Sequence, residues 1–194
     1  MNAKESIKNS VKILLFFTLL TGLIYPVIIS GIGQMLFSIK ANGSMLTKND
    51  QIVGSRLIGQ KFTSKRYFWP RPSAIDYNPM PSGGSNLALT SKVLVQQYND
   101  NKAAFIKDNL LKDTASVPSD VLFASASGVD PDISKEAAVL QVKRICEARK
   151  FNAEKKQVLL NLIDKQTEKR QLGFLGEEVV NVLVLNIKLD EISK

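Results

Sequence analysis

Hydrophobic and polar residues divide the chain into three regimes. From Ile13 to Phe37 the run is dominated by Leu, Ile, Val and Phe, and no charged side chain occurs between Lys12 and Lys40. At 1.5 Å per residue, about 20 helical residues cross a hydrocarbon core roughly 30 Å thick, so 13–37 predicts a membrane-spanning helix with length to spare for tilt. A middle regime with no steady period follows. From Thr90 onward the apolar positions take up a helical spacing.

Ala41 to Ser44 reads as a turn-like exit, with Asn42-Gly43 as a breaker pair. Ile52 to Phe62 reads as short strand pieces around two glycines. Tyr67 to Asn86 contains Pro70, Pro72, Pro79 and Pro81, which fix φ and remove donors, and Gly83-Gly84, which frees it. It is therefore a long loop. Tyr67, Phe68, Trp69 and Tyr77 argue that it is ordered. Leu94, Tyr98 and Phe105 share a face, predicting a first helix from Thr90 to about Leu111 with Thr90 or Ser91 as N-cap. Ala115 to Val129 is a Ser-, Ala- and Gly-rich connection. Ser134 then caps a second helix reaching about Arg149, with Glu136 in its first turn and a core stripe of Ala138, Val142 and Ile145. Val158, Leu159, Leu162 and Ile163 predict a third helix over 153–166. Val179 to Ile187, apolar and rich in β-branched residues, reads as a well-covered strand. The fold class expected is α+β: a tail over 1–12, a membrane helix over 13–37 and one mixed α/β polar domain over 41–194.

Composition narrows the chemistry. The 194 residues include no histidine and a single cysteine, Cys146, which sits beside the stripe of the second helix and reads as a buried, inert thiol. The usual zinc sites, the Cys-His and Ser-His-Asp arrangements, an imidazole base and an internal disulfide are thereby excluded. The net charge of +8 is spread along the chain, without the clustered basic face and interleaved aromatics that nucleic acid requires. It suits solubility and attraction to membrane lipid.

Lys4, Lys8 and Lys12 before the apolar run invite comparison with a signal peptide. The run is too long for one, and Ser38-Ile39-Lys40 is a poor cleavage site, so a retained anchor fits. Three basic residues before the span, against Lys40 and Lys48 after it, predict a cytoplasmic N-terminus and an extracytoplasmic domain in the cell membrane. Thr18, Gly22, Pro26 and Ser30 recur every fourth residue and give a narrow small-residue face against which another helix can pack. Pro26 lacks an N–H and crowds the carbonyl of Gly22, predicting a kink.

The most distinctive string is Arg71-Pro72-Ser73-Ala74, then Tyr77-Asn78, then Ser82-Gly83-Gly84-Ser85-Asn86. Gly54-Ser55, Leu57-Ile58-Gly59-Gln60, Phe62 and Tyr67-Phe68 precede or open it. Ser127-Gly128, Asp130-Pro131, Ile133-Ser134, Glu136-Ala137-Ala138, Gln141-Val142 and Arg144 follow. In order and spacing this resembles the signature of the KdpC family, the C subunits of Kdp-type potassium-transporting ATPases, over nearly the whole chain. The resemblance implies three companions: a channel-like potassium-translocating subunit, a P-type ATPase catalytic subunit and a small single-helix subunit. It implies a non-catalytic role as a catalytic chaperone that raises the ATP affinity of the ATPase subunit. Asp132 stands where relatives often have His and Lys135 where they often have Pro, so no imidazole role carries over.

Two readings of the nucleotide remain open at this level. Ser82-Gly83-Gly84-Ser85 can present a nest of backbone N–H groups to phosphate, with Gln60 near a ribose, so that ATP is contacted directly and shared with the ATPase subunit. Alternatively the pair of glycines is a turn, and any effect on ATP is transmitted through the complex. The seam of Thr18, Gly22, Pro26 and Ser30, together with Arg71, Tyr77, Asn78 and Asn86 of the loop, forms the expected partner-binding set. No residue is expected to be catalytic or to hold a metal. Asp130, Asp132 and Glu136 read as helix-capping carboxylates.

Overall fold

The computed structural model describes residues 2–48 and 50–193, so the first residue of the expected tail and the last of the expected domain lie outside the described residues. The chain forms two compact units, Met1–Met45 and Leu46–Lys194.

The first unit is one helical rod. α1 (Ala3–Leu19), a π-helical turn (Leu20–Ile24) and α2 (Tyr25–Ala41) run together as 39 helical residues, long and apolar enough to cross a membrane. None of α1 or α2 is buried. Pro26 explains the π turn. An α-helical Pro26 would press its ring on the Gly22 carbonyl, so the preceding turn widens, and Tyr25 N–H donates to the Leu20 carbonyl five residues back. The expected kink thus takes the form of a bulge. A four-residue repeat overshoots an α turn of about 3.6 residues and undershoots the wider π turn. The bulge therefore keeps Thr18, Gly22, Pro26 and Ser30 closer to one face than an unbroken α-helix would. Helical backbone is interrupted at Phe37 (φ −137°, ψ 42°).

After the helical rod, β1 (Met45–Lys48) and β2 (Gln51–Ser55) form a two-stranded sheet. The sequence suggested strand pieces over 52–62; the strand is confined to 51–55, and β1 was not predicted. After a long loop come α3 (Lys92–Asp108), a 3₁₀ turn (Ser119–Val121), β3 (Asp132–Ser134), α4 (Lys135–Arg149), α5 (Ala153–Gln166), β4 (Thr167–Glu168), β5 (Val179–Asn181) and α6 (Val182–Glu191). Each of the three predicted helices starts at a side-chain cap: Ser91 accepts from Leu94 N–H, Ser134 from Ala137 N–H and Asn152 from Lys155 N–H.

β3, β5 and β4 make an antiparallel sheet with β5 in the centre, Val180 facing both Ile133 and Thr167. The core lies where this sheet meets α4, α5 and α6. Phe68, Ile145, Leu159, Ile163, Leu185 and Leu189 are all fully buried there. Cys146 belongs to the same cluster, and burial pushes its thiol pKa up, as an inert thiol requires.

The expected strand over Val179–Ile187 is a correction: only Val179–Asn181 is strand, and the rest opens α6. Asn181 makes the switch. Its Oδ1 accepts Val184 N–H at 3.1 Å, while its Nδ2 donates to Asp132 Oδ1 and to the Arg56 carbonyl, each at 2.9 Å. Beyond it Val182, Leu185, Asn186 and Leu189 are buried at helical spacing. A run broken only by Asn181 and Asn186 hides its period, since nearly every position looks inward-facing.

Candidate functional site

The loop between β2 and α3 has no regular structure, yet its first half is held as firmly as a strand. Phe68 N–H donates to Asn186 Oδ1 (2.8 Å), and Asn186 Nδ2 returns a bond to the Phe68 carbonyl (3.0 Å). Gln141 repeats the pattern one residue on, accepting Trp69 N–H at 2.7 Å and donating to the Trp69 carbonyl at 3.1 Å. Two side-chain amides from α6 and α4 thus act as a sheet neighbour would, satisfying four backbone groups in the interior.

Arg144 completes the grip. It is 2% exposed, and among the described residues none of its hydrogen bonds goes to a carboxylate. Nε donates to Asn109 Oδ1 (2.9 Å), Nη1 to the carbonyls of Lys65 (2.7 Å) and Tyr67 (2.9 Å), and Nη2 to Gln141 Oε1 (2.7 Å). The Trp69 ring stacks 3.8 Å from the guanidinium carbon. Burial pulls its pKa down to about 10, with Asp108 opposing the shift, so it stays charged at neutral pH.

The second half of the loop clasps a second loop, 125–130. Ser73 Oγ donates to the Gly128 carbonyl at 2.6 Å and accepts Tyr77 N–H at 2.9 Å. Tyr77 donates its hydroxyl to the Arg71 carbonyl, and burial, helped by Asp76, raises that phenol to about 12. Arg71 Nη1 pairs with Asp130 Oδ2 at 2.7 Å, both side chains about three-quarters covered. Gly128 has φ +71°, and a Cβ there would stand 2.8 Å from the Gly83 carbonyl. Gly59 N–H donates to the Val129 carbonyl at 2.7 Å, and a Cβ on Gly59 would fall 2.5 Å from the Asp130 carbonyl oxygen. The two glycines permit backbone-to-backbone approach. Arg71, Ser73, Tyr77, Gly59, Gly128 and Asp130, scattered in the sequence motif, meet in one knot.

The predicted nucleotide residues are placed differently. Gln60 turns its amide onto the Val53 carbonyl (3.1 Å). Gly83 N–H is engaged by the Ser127 carbonyl (3.1 Å), and Gly84 lies against the backbone of Ser125 and Ala126. Neither glycine has positive φ, so the alternating backbone of a phosphate nest is not formed there. Ser82 and Ser85 are exposed. Ser85 borders a cavity of about 630 Å³ with Ser73, Leu87, Leu94, Asn101 and Phe123. Asn78 and Asn86 stand exposed on the outer side of the clasp, and Thr18, Gly22, Pro26 and Ser30 are exposed on the helical rod. Sequence reasoning misses Gln141, Asn186, Asn109 and Asn181 as organising residues; for Gln141, Asn181 and Asn186 the signal is an isolated amide inside an apolar stretch, while Asn109, next to Lys107 and Asp108, carries none.

The carboxylates mostly serve local structure. Asp130 accepts Asp132 N–H at 3.1 Å besides pairing with Arg71. Asp120 Oδ2 accepts Ser134 N–H at 2.6 Å. Glu136 lies in the first turn of α4. Asp190 receives Lys48 (2.7 Å), Arg149 (2.8 Å) and the Tyr67 hydroxyl (3.1 Å). Burial opposes its ionisation, but these hydrogen bonds together outweigh it and hold the pKa below the usual range. Burial pushes Asp132 the other way, above that range, only partly offset by Asn181.

These opposite shifts give a pH test. Asp190 adds stability above the unfolded carboxylate pKa of about 3.9, and that contribution is lost as pH falls through its folded value. Asp132 binds its proton more tightly folded than unfolded, so its ionisation costs stability as pH rises above about 3.9. Asp132→Asn retains an oxygen for Asn181 and is expected to be more stable than the parent at pH 7. Because Asp190 is common to both, the gap between their urea midpoints should close towards pH 4.

Comparison with known proteins adds a family. The model of the family described as K+-transporting ATPase, c chain (KdpC), matches residues 7–191. A protein named Potassium-transporting ATPase KdpC subunit from Caldanaerobacter subterraneus subsp. tengcongensis is 44% identical over 191 residues, covering 98% of this chain and 97% of its own. The protein of that name from Geotalea uraniireducens is 43% identical over 194 residues (98% and 100%), and that from Geobacter sulfurreducens 44% over 190 residues (96% and 97%).

Proposed function

Because the chain belongs to the KdpC family of potassium-transporting ATPase C chains, we propose that it is a non-catalytic, membrane-anchored subunit that holds the larger subunits of the pump in their working arrangement. The observation that carries this reading is the loop clasp. Its motif residues spend most of their hydrogen-bonding groups on one another and on backbone, the buried Arg71 Nε excepted, which builds a structural surface rather than a reacting centre. Exposed Asn78 and Asn86 offer amides on that surface to a partner.

Anchoring comes from the helical rod, with the basic Lys4, Lys8 and Lys12 kept on the cytoplasmic side and the mixed domain outside. The companions are a channel-like potassium-translocating subunit, the P-type ATPase catalytic subunit and a small single-helix subunit. An extracytoplasmic domain meets almost no ATP, so its influence as a catalytic chaperone on nucleotide affinity is a coupling between sites, carried by the assembled complex.

The competing reading, direct ATP contact, draws on the cavity beside Ser85. Its lining contains no Lys or Arg. A triphosphate there would have neither counter-charge nor the open N–H nest, so coupling is the better account. The discriminating experiment is labelling of a Ser85→Cys variant with a membrane-impermeant maleimide in right-side-out vesicles. Labelling from outside supports this topology; labelling only after the cytoplasmic face is opened refutes it.

The seam is tested separately. A Cβ on Gly22 would meet nothing within 4 Å, so Gly22→Leu leaves this chain's own packing intact. If a partner helix sits against that face, Gly22→Leu with Ser30→Leu should weaken co-purification of the large subunits about tenfold, a change of roughly 1.4 kcal/mol. Ile29→Leu is expected to leave it unchanged.

A further inference from the structure

Near its C-terminal end the helical rod is broken, and two side-chain amides span the break. The backbone leaves helical geometry at Phe37, between Gln34 and Asn42. Gln34 Nε2 donates to Asn42 Oδ1, and Asn42 Nδ2 returns a bond to Gln34 Oε1, each at 3.2 Å. Asn42 is itself tied down, since its Nδ2 and its backbone N–H both donate to the Ser38 carbonyl, at 2.8 and 3.0 Å. Residues eight apart in an unbroken α-helix stand about 12 Å apart along the axis and about 80° apart around it, beyond the reach of these two side chains. The reciprocal pair therefore depends on the break at Phe37, and in turn holds it in one geometry.

The position of the break along the rod matters. From Lys12, the last charged residue before the apolar run, the helical rise to Gln34 is roughly 33 Å, close to the roughly 30 Å of a hydrocarbon core. Gln34 thus falls at the far boundary of that core. Beyond it Met35, Leu36, Phe37 and Ile39 continue the apolar run, all exposed. A straight helix would carry these four side chains out of the hydrocarbon, and a bend is one of the ways in which an over-long span fits its bilayer. Hydrocarbon offers an amide no partner, so Gln34 at this depth is costly unless the chain supplies one. Asn42 supplies both a donor and an acceptor.

We propose that Gln34 and Asn42 form a latch that fixes a bend at the exit end of the anchor helix and keeps Met35, Leu36, Phe37 and Ile39 at the hydrocarbon boundary. This rests on the reading of the rod as a bilayer anchor. Closed, the latch stiffens the segment through which the chain leaves the helix. Open, it lets that segment straighten and flex.

The test uses the full chain in phosphatidylcholine vesicles, with nitroxide labels at Ile28→Cys and Ala41→Cys on either side of Phe37; native Cys146 is buried. Dipolar spectroscopy is expected to give one narrow distance population. Gln34→Leu, which leaves the bonds to the Ser38 carbonyl intact, and Asn42→Ala should each broaden that distribution about twofold and lengthen its mean. The double variant should be no broader than either single one, because a shared latch is lost only once. Ser38→Ala keeps its carbonyl and is the unchanged control. Distributions in both single variants that match the parent overturn the latch, and so does broadening that adds up in the double variant; in either case a label at 28 that still meets lipid-soluble oxygen leaves the anchor standing. A label at 28 reached instead by a water-soluble relaxation agent overturns the anchor reading and this proposal with it.

Discussion

Replacing Arg144 with methionine is expected to remove about 3–5 kcal/mol of stability, a large share of the roughly 5–15 kcal/mol that holds a domain of this size together. Methionine fills much of the volume and keeps the apolar stem, so the loss isolates the guanidinium. Without it the Asn109 side chain and the Tyr67 carbonyl lose a donor away from water, at a cost of about 1–3 kcal/mol each, and the Lys65 carbonyl loses one in an exposed residue. Gln141 loses one of its partners and with it the fixed orientation that receives Trp69 N–H. The melting temperature should fall by roughly 10 °C. Arg144→Lys is not expected to rescue it, because one ammonium cannot reach acceptors arranged around a planar fork. Lys156→Met, on the exposed face of α5, is the neutral control. Urea unfolding of the full chain in detergent, followed by Trp69 fluorescence, measures all three.

Gly59→Ala should be nearly as damaging, for a backbone reason. The added methyl meets only backbone, the Asp130 carbonyl at 2.5 Å and the Val129 carbonyl oxygen at 3.1 Å, so no side chain can move aside. The loops must part, and the 2.7 Å bond from Gly59 N–H to Val129 is lost with the Arg71–Asp130 alignment. Overpacking of this kind together with a lost buried bond is expected to cost about 3 kcal/mol. Amide exchange should report the damage locally, with faster exchange at Gly59, Gly83 and Gly128. Gly83→Ala is the matched comparison: its Cβ would meet nothing within 4 Å, and the effect should be small.

These positions show what the sequence discloses and what it withholds. The charge-free run after Lys12 and the Ser91 and Ser134 caps are local features, so the long apolar helix and the starts of α3 and α4 could be read from residues a few places apart. The grip on the Tyr67–Asn86 loop could not. Its partners lie 72 and 118 residues away, and a lone Gln141 or Asn186 in an apolar face does not say which backbone it will satisfy. Val179–Ile187 misleads for a related reason: β-branched residues in a largely apolar run imitate a covered strand, while the decisive cap, Asn181, is only one residue. The motif string was legible as a resemblance long before its geometry, because a close approach of Gly59 to Asp130 leaves no mark on either residue alone.

On the proposed function, this chain assembles a potassium pump without performing its chemistry. The most direct measurement is to affinity-purify the full-length chain from native membranes and assay potassium-stimulated ATP hydrolysis before and after it is stripped from its companions. Two large membrane subunits and ATPase activity are expected in the intact eluate, and no activity in the isolated chain. Recovery of this chain alone as a freely soluble monomer, or hydrolysis of ATP by the isolated chain, would contradict it.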